Sequence, residues 1–341
     1  MKLWGATVSL ALWALIAVGL WQAKVGEPGP ASFPQNRAYA TSPGAGEALL
    51  PLPPAPPLPA DKVALGKRLF FEPRLSHDDS LACAGCHDFA RGGADRLPAA
   101  VGVGGKQGNV NTPTVFNAGL GFVQFWDGRA ASLEEQAAGP VHNPLEMASN
   151  WPEVIAKLSR DADYQRAFQQ LYQGISGEAI VDAIATYERT LLTPNSRFDR
   201  FLRGDKAALD ALEQDGYRRF LDYGCASCHQ GALLGGNMYQ RFGVMGDYFS
   251  QLPANRAIAA DQGRFNVTGR EEDRHVFKVP GLRNVAVTAP YFHNGSAATL
   301  EEAVVTMGRY QLGRDLSGAD ILAICAFLRT LTGEWEGKPL Q

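Results

Sequence analysis

Two short stretches, CAGCH at 83–87 and CASCH at 225–229, each set two cysteines around a two-residue spacer and follow the second with a histidine. That spacing lets both sulfurs form thioethers to one haem while the adjoining imidazole reaches its iron. A disulfide, a redox dithiol or half of a zinc site would use the same cysteines, but not a histidine repeated after both pairs. Cys83, Cys86 and His87 are therefore expected to hold one haem c, and Cys225, Cys228 and His229 a second. The fifth cysteine, Cys325, shares an apolar helical stripe with Ile321, Ile324 and Leu328 and is expected in a core.

The chain repeats itself around these motifs. G-x-R-x-F precedes each, as GKRLF at 66–70 and GYRRF at 216–220, and a glycine pair follows each, Gly92–Gly93 and Gly235–Gly236. Further on, TPTVFN (112–117) answers VPGLRN (279–284), and FWDGRAASLEE (125–135) answers FHNGSAATLEE (292–302). Four matches in the same order indicate an internal duplication. In the second copy, Met307 stands fourteen residues after His293; in the first, Pro140 stands fourteen residues after Trp126. A thioether opposite a haem histidine closes the iron and suits electron transfer. Proline offers no lone pair, so the first haem is expected to leave its sixth position to something else.

The elements that must position these residues read as mainly α. Helices are expected at 132–138, with a Ser132/Glu135 capping box, and at 152–159, 205–222 and 317–331; a further one runs from an N-cap at Ser176 to just short of Pro194. The fold class is thus two cytochrome c-like haem domains related by duplication, at 60–200 and 201–341. Ahead of them, residues 25–59 hold ten of the chain's 21 prolines and read as a tether. Residues 1–24 contain an uncharged apolar run that suits either a signal peptide or a membrane anchor; Trp21, at −3 for a cut after Ala23, favours the anchor. Either role implies export. A net charge of −3 shows no basic footprint for nucleic acid.

The two C-x-x-C-H motifs, QFWDGRAASLEEQAAGPVHNPLEM, VPGLRNVAVTAPYFHNG and MGRYQLG together resemble the bacterial dihaem cytochrome c peroxidases, over essentially residues 60–335. The resemblance implies a periplasmic peroxidase that reduces hydrogen peroxide to water. Electrons from a small donor, a cytochrome c or a copper protein, would enter at the C-terminal His/Met haem and pass to the N-terminal one. By position it implies His87 and His229 as proximal iron ligands and Met307 as distal ligand of the second haem. Gln136, Pro140 and Glu146 would line the peroxide pocket, and Trp126 would lie between the haems. It also implies a calcium ion held by Asn111 and the carbonyls of Thr288 and Pro290, an all-oxygen set suited to that ion. Homodimers are common in the family.

One position departs from the family pattern. Typical members carry a blocking histidine sixteen residues after the first motif's histidine; here that residue is Val103. The departure puts prior reductive activation in doubt and leaves the peroxidase chemistry intact. Lys106, His142 and His77 are the remaining candidates for a ligand closing the first haem at rest. Two other readings share these motifs: a dihaem oxidase or maturation enzyme acting on a protein or organic substrate, and a non-enzymatic dihaem electron carrier. The maturation enzyme has tyrosine where Met307 stands; Tyr310 is three residues away.

Overall fold

The computed structural model describes residues 48–252 and 258–341. The apolar run at 1–24 and the first part of the proline-rich stretch lie outside them. Among the described residues, no helix is long and apolar enough to cross a membrane. The helices are α1 (Ala60–Phe70), α2 (Cys83–Cys86), α3 (Leu133–His142), α4 (Trp151–Leu158), α5 (Ala162–Tyr172), α6 (Gly177–Glu188), α7 (Arg197–Leu202), α8 (Ala211–Asp222), α9 (Phe265–Thr268), α10 (Leu300–Thr306) and α11 (Gly318–Arg329). Strand is confined to two antiparallel ribbons, Tyr239–Arg241 with Val276–Lys278 and Glu334–Trp335 with Lys338–Pro339.

Each half is built on a crossed helix pair, and the sequence repeat explains why. In the first, α1 meets α6 at Gly66, where a Cβ would stand 1.9 Å from the Ala183 carbonyl oxygen and 2.8 Å from the Tyr187 Cβ. In the second, α8 meets α11 at Gly216, where a Cβ would stand 1.9 Å from the Ala323 oxygen and 2.9 Å from the Phe327 Cβ. Only glycine lets the two backbones approach so closely. The phenylalanine four residues on, Phe70 or Phe220, fills the core beneath each crossing.

The duplicated loops keep the same geometry. Asn117 and Asn284, equivalent in the repeat, are both left-handed (φ 62° and 64°), a conformation asparagine tolerates better than most residues, and each leads into a short 3₁₀ turn. Their side chains converge on one residue between the halves. Thr193 Oγ1 accepts from Asn117 Nδ2 at 2.8 Å and from Asn284 Nδ2 at 3.0 Å. The Thr193 N–H donates to Asn117 Oδ1, and the Gly333 N–H donates to Asn284 Oδ1, both at 3.0 Å.

The two cores are distinct but exchange their ends. The first gathers Leu69, Phe70, Phe116, Phe168, Ile180 and Ile184; the second gathers Phe198, Phe220, Ile324, Cys325, Phe327 and Leu331. Leu340, from beyond the second core, is buried in the first, and Trp335 packs against it. Conversely, Leu49 belongs to the second core. The expectation of a free tether up to residue 59 therefore needs correcting for its last residues. Leu49 and Leu52 are buried, and the Leu52 N–H donates to Asp199 Oδ1 at 3.1 Å. Arg283 Nη2 donates to the Leu50 carbonyl at 2.8 Å while Nη1 pairs with Asp199 at 2.9 Å. Proline content flags an extended backbone; two buried leucines and a carboxylate at the right depth turn that backbone into a packed strap.

Candidate functional site

The proximal histidines are set by their own motifs. His87 caps the single-turn helix α2 at its C-terminus, and its Nδ1 lies 3.1 Å from the Gly93 carbonyl oxygen. His229 follows a 3₁₀ turn at Cys225–Ser227, and its Nδ1 lies 3.2 Å from the Leu234 carbonyl oxygen. A carbonyl only accepts, so Nδ1 carries the proton in both rings and Nε2 keeps its lone pair. Burial lowers both imidazole pKa values, despite these carbonyls and those of Pro113 and Pro280, which favours the neutral, ligating form. Burial likewise pushes the Cys83 thiol up to about 12 and those of Cys86 and Cys225 to about 11. The four motif cysteines form no disulfide. Among the described residues, no group of three or more His, Cys, Asp or Glu is placed to hold a metal ion. Unbridged thiols beside an imidazole that keeps its Nε2 lone pair fit thioether attachment of a haem.

Helix α3 supplies one face of the first half's site. Ser132 caps it by accepting from the Glu135 N–H, and Glu135 reaches back to the Ala131 N–H at 2.7 Å, one residue beyond the expected box partner. The helix runs to His142, past the expected end at 138, with Pro140 inside it. Gln136, Pro140 and Asn143 are spaced four and three apart and so share a face. Asn143 then turns the chain back: its Nδ2 donates to Glu146 Oε1 at 2.6 Å. Burial raises the Glu146 pKa above the ordinary carboxylate range, against the opposing pull of the Asn143 hydrogen bond and the Arg129 charge.

Val103 is buried beside this carboxylate-bearing segment, and its N–H donates to the Glu146 carbonyl at 2.8 Å. Gly102 makes the approach possible, since a Cβ there would meet the Leu145 oxygen at 2.1 Å. The other residues considered as ligands are engaged elsewhere. Lys106 Nζ donates to the Pro144 carbonyl at 3.1 Å, exposed His142 packs edge-on against Trp151, and His77 faces Glu153 at 3.0 Å.

Trp126 stands at the seam between the halves, opposite its own counterpart in the repeat. The loops carrying Trp126 and His293 are both closed by an isolated bridge, Gln124 with Ala130 and Tyr291 with Ala297. Both turn on a left-handed phenylalanine, Phe125 or Phe292. The Trp126 and His293 rings meet edge to face, 6.4 Å between centroids. Asn111 joins them: its carbonyl accepts from Trp126 Nε1 at 2.9 Å, and its N–H donates to the His293 carbonyl at 2.8 Å. His293 is buried, stacks on Phe277 and pairs through Nε2 with Asp261 Oδ1 at 2.6 Å. Burial alone would raise the Asp261 pKa, but the His293 and Ile258 hydrogen bonds and the His293 charge outweigh it and hold the carboxyl low. Asn111 and Thr288 both border the 92–97 segment: Asn111 Nδ2 donates to the Leu97 carbonyl at 2.8 Å, and Thr288 lies against Gly92.

In the second half, helix α10 ends at Thr306 and Met307 opens a wider, π-helical turn to Gln311. Met307 is half-buried. Thus the slot that holds a proline inside α3 holds a thioether in the equivalent stretch of the second half.

Residues 60–207 match the family described as di-haem cytochrome c peroxidase. A cytochrome c551 peroxidase of Nitrosomonas europaea is 45% identical over 292 residues, covering 85% of each chain.

The chain belongs to the di-haem cytochrome c peroxidase family.

Within this family, the cytochrome c551 peroxidase of Pseudomonas aeruginosa is 44% identical over 82% of this chain and 80% of its own length. The cytochrome c peroxidase Ccp of Escherichia coli is 50% identical over 84% of this chain, which spans 61% of that longer protein. Among solved structures, a MauG-like protein associated with microbial copper homeostasis superposes with a TM-score of 0.73 at 28% identity, covering 87% of this chain and 96% of the other. The mainly helical, two-haem-domain architecture is therefore that of the family, and membership implies two haems c. Sequence reasoning missed Asn143, which holds Glu146, and Asp261, which fixes His293. The first sits three residues before its partner on a turn that gives no periodic signal; the second is 32 residues away from its partner and joined to it only by the fold.

Proposed function

We propose that this protein is a periplasmic di-haem peroxidase: hydrogen peroxide, two electrons and two protons give two waters. The electrons come singly from a small redox protein, a cytochrome c or a copper protein, enter the domain at 201–341 and pass to the domain at 60–200. The supporting observation is the asymmetry of one duplicated slot, Met307 in one half and, in the other, Pro140 on the helix that leads to a half-buried, hydrogen-bonded Glu146. Cys83, Cys86 and His87 would hold a haem c, which would supply the redox chemistry at this pocket. Glu146 takes the proton from the inner peroxide oxygen and returns it to the outer one, so that water can leave. Burial raises its pKa, which favours a carboxyl that must hold a proton as well as accept one. Asn143 orients its carboxylate, and Gln136 offers an amide to hold peroxide. Cys225, Cys228, His229 and Met307 hold the second haem, and Trp126 lies on the path between the two. Asn111 with the Thr288 and Pro290 carbonyls is assigned to a calcium ion that braces the seam.

With valine at 103, the first haem stays open at rest and needs no prior reduction. Denatured mass analysis should find the chain plus two haems, and replacing Cys83 and Cys86 by alanine should remove one of them. The intact holoprotein should oxidise a reduced cytochrome c or copper protein on addition of peroxide. Two haems with no peroxide turnover would leave an electron carrier instead.

A further inference from the structure

The duplication also exposes a carboxyl with no counterpart. The crossings at Gly66 and Gly216 pair Ala183 with Ala323 and Tyr187 with Phe327, so Glu188 corresponds to Leu328 and Arg189 to Arg329. The arginine keeps its partner in both halves: Arg189 Nη2 binds Glu134 at 2.7 Å, and Arg329 Nη2 binds Glu301 at 2.5 Å, Glu134 and Glu301 being equivalent in the repeat. Glu188 alone is new, and it is expensive. It is 5% exposed, and its Oε2 has no hydrogen-bond partner; nor has Oε2 of Glu134, itself 4% exposed. Leucine serves at this position in the second half, so packing does not require the carboxyl. An unpaired buried carboxyl costs stability that a leucine there would not.

The surroundings say what Glu188 can do. Arg189 pairs with Glu134 alone, so its charge reaches Glu188 only through space, and Glu188 in turn feels and is felt by the Cys83 sulfur of the first C-x-x-C-H motif. From α1, Lys62 is already bound to Asp182 further up α6, and from the C-terminal segment Glu336 faces Tyr187 rather than Glu188. Burial, with the Glu134 charge, lifts the Glu188 pKa to about 8 against the pull of Arg189. The group therefore ionises on the alkaline side of neutral pH, and a change in a nearby charge would move that titration.

We propose that Glu188, with Glu134 beside it, couples proton uptake to the electron count of the first haem. When one electron arrives there from the donor protein, the Glu188 carboxylate binds one proton from water, forming one O–H bond; when peroxide withdraws that electron, the same proton is released. At the equivalent position of the second half stands Leu328, which cannot titrate. This rests on the haem attachment at Cys83, Cys86 and His87.

The test is a spectroscopic redox titration of the holoprotein at a series of pH values, in a Glu146→Gln background that removes the distal carboxyl. The Cys83→Ala/Cys86→Ala protein supplies the spectrum of the second haem by itself. The reduction equilibrium of the first haem should shift by up to tenfold per pH unit, about 59 mV for a one-electron couple. Glu188→Gln and Glu188→Leu should each flatten that slope while the second haem's stays unchanged. A slope that survives both substitutions with two haems still attached overturns the proposal. A single attached haem before any substitution at 188 would instead overturn the attachment on which it rests.

Discussion

A carboxyl proposed to accept a proton and return it is helped by a raised pKa, and burial raises that of Glu146 against two opposing influences. Glu146→Gln should keep both haems and lose about 10²–10⁴-fold in peroxide turnover. Because the carboxylate form is the base, turnover should fall as pH drops through its raised pKa. Asn143→Ala removes a hydrogen bond that lowers this pKa, so the acid limb of the pH–rate profile should move to higher pH; an unmoved limb would show that Asn143 does not set it. Val103→His should place an imidazole on the residue whose backbone binds the Glu146 carbonyl. The resting electron paramagnetic resonance spectrum should then change from high-spin to low-spin at the first haem, with peroxide reacting only after one-electron reduction. The paired cysteines, their histidines and Met307 were named by type and spacing, and Glu146 by the family resemblance. Asn143 and Glu188 were not, because nothing local distinguishes an amide or acid that meets its partner only after folding.

At the scale of elements, the repeated G-x-R-x-F proved to be a helix-crossing device. A Cβ at Gly66 or Gly216 has a carbonyl oxygen 1.9 Å away, so Gly66→Ala must push the helices apart. Overpacking of this kind costs about 1–3 kcal/mol, and a lowered Tm should record it for either glycine. Helix α3 is longer than its sequence suggested. The expected helix stopped at 138, yet Pro140 lies inside the observed one, where it forgoes the bond to the Gln136 carbonyl, and the residue before it, Gly139, has no Cβ to clash with the proline ring. The Asp261–His293 pair should give acid sensitivity to the seam. A carboxyl held below its ordinary pKa contributes stability above that value and loses it as pH falls through the folded one. Asp261→Asn should therefore destabilise the protein at neutral pH and converge with the unaltered protein in acid, as followed by thermal unfolding.

At the scale of the whole molecule, the duplication was legible because four motifs recur in order, but the exchange of ends was not. Leu49 and Leu52 sit in a run of prolines that reads as solvent-exposed, and Trp335 and Leu340 follow the last helix with no periodicity to place them. Only the depth of the grooves they fill assigns them to the opposite cores. Trp335 packs on Phe89 and Phe116, two residues and a strand's breadth from the first haem motif. Trp335→Ala should lower stability by roughly 2 kcal/mol, less than the about 3–5 of a fully buried tryptophan. The loss should appear in one calorimetric transition, since Thr193 ties both halves together.

The exchanged ends also bear on how the protein is made. The aromatic cover of the first haem motif includes a segment encoded at the very end of the second half. During synthesis the first half cannot finish closing until that segment has emerged, so Cys83 and Cys86 stay uncovered by it while some two hundred and fifty further residues are added. The half that is built first is the half that is sealed last.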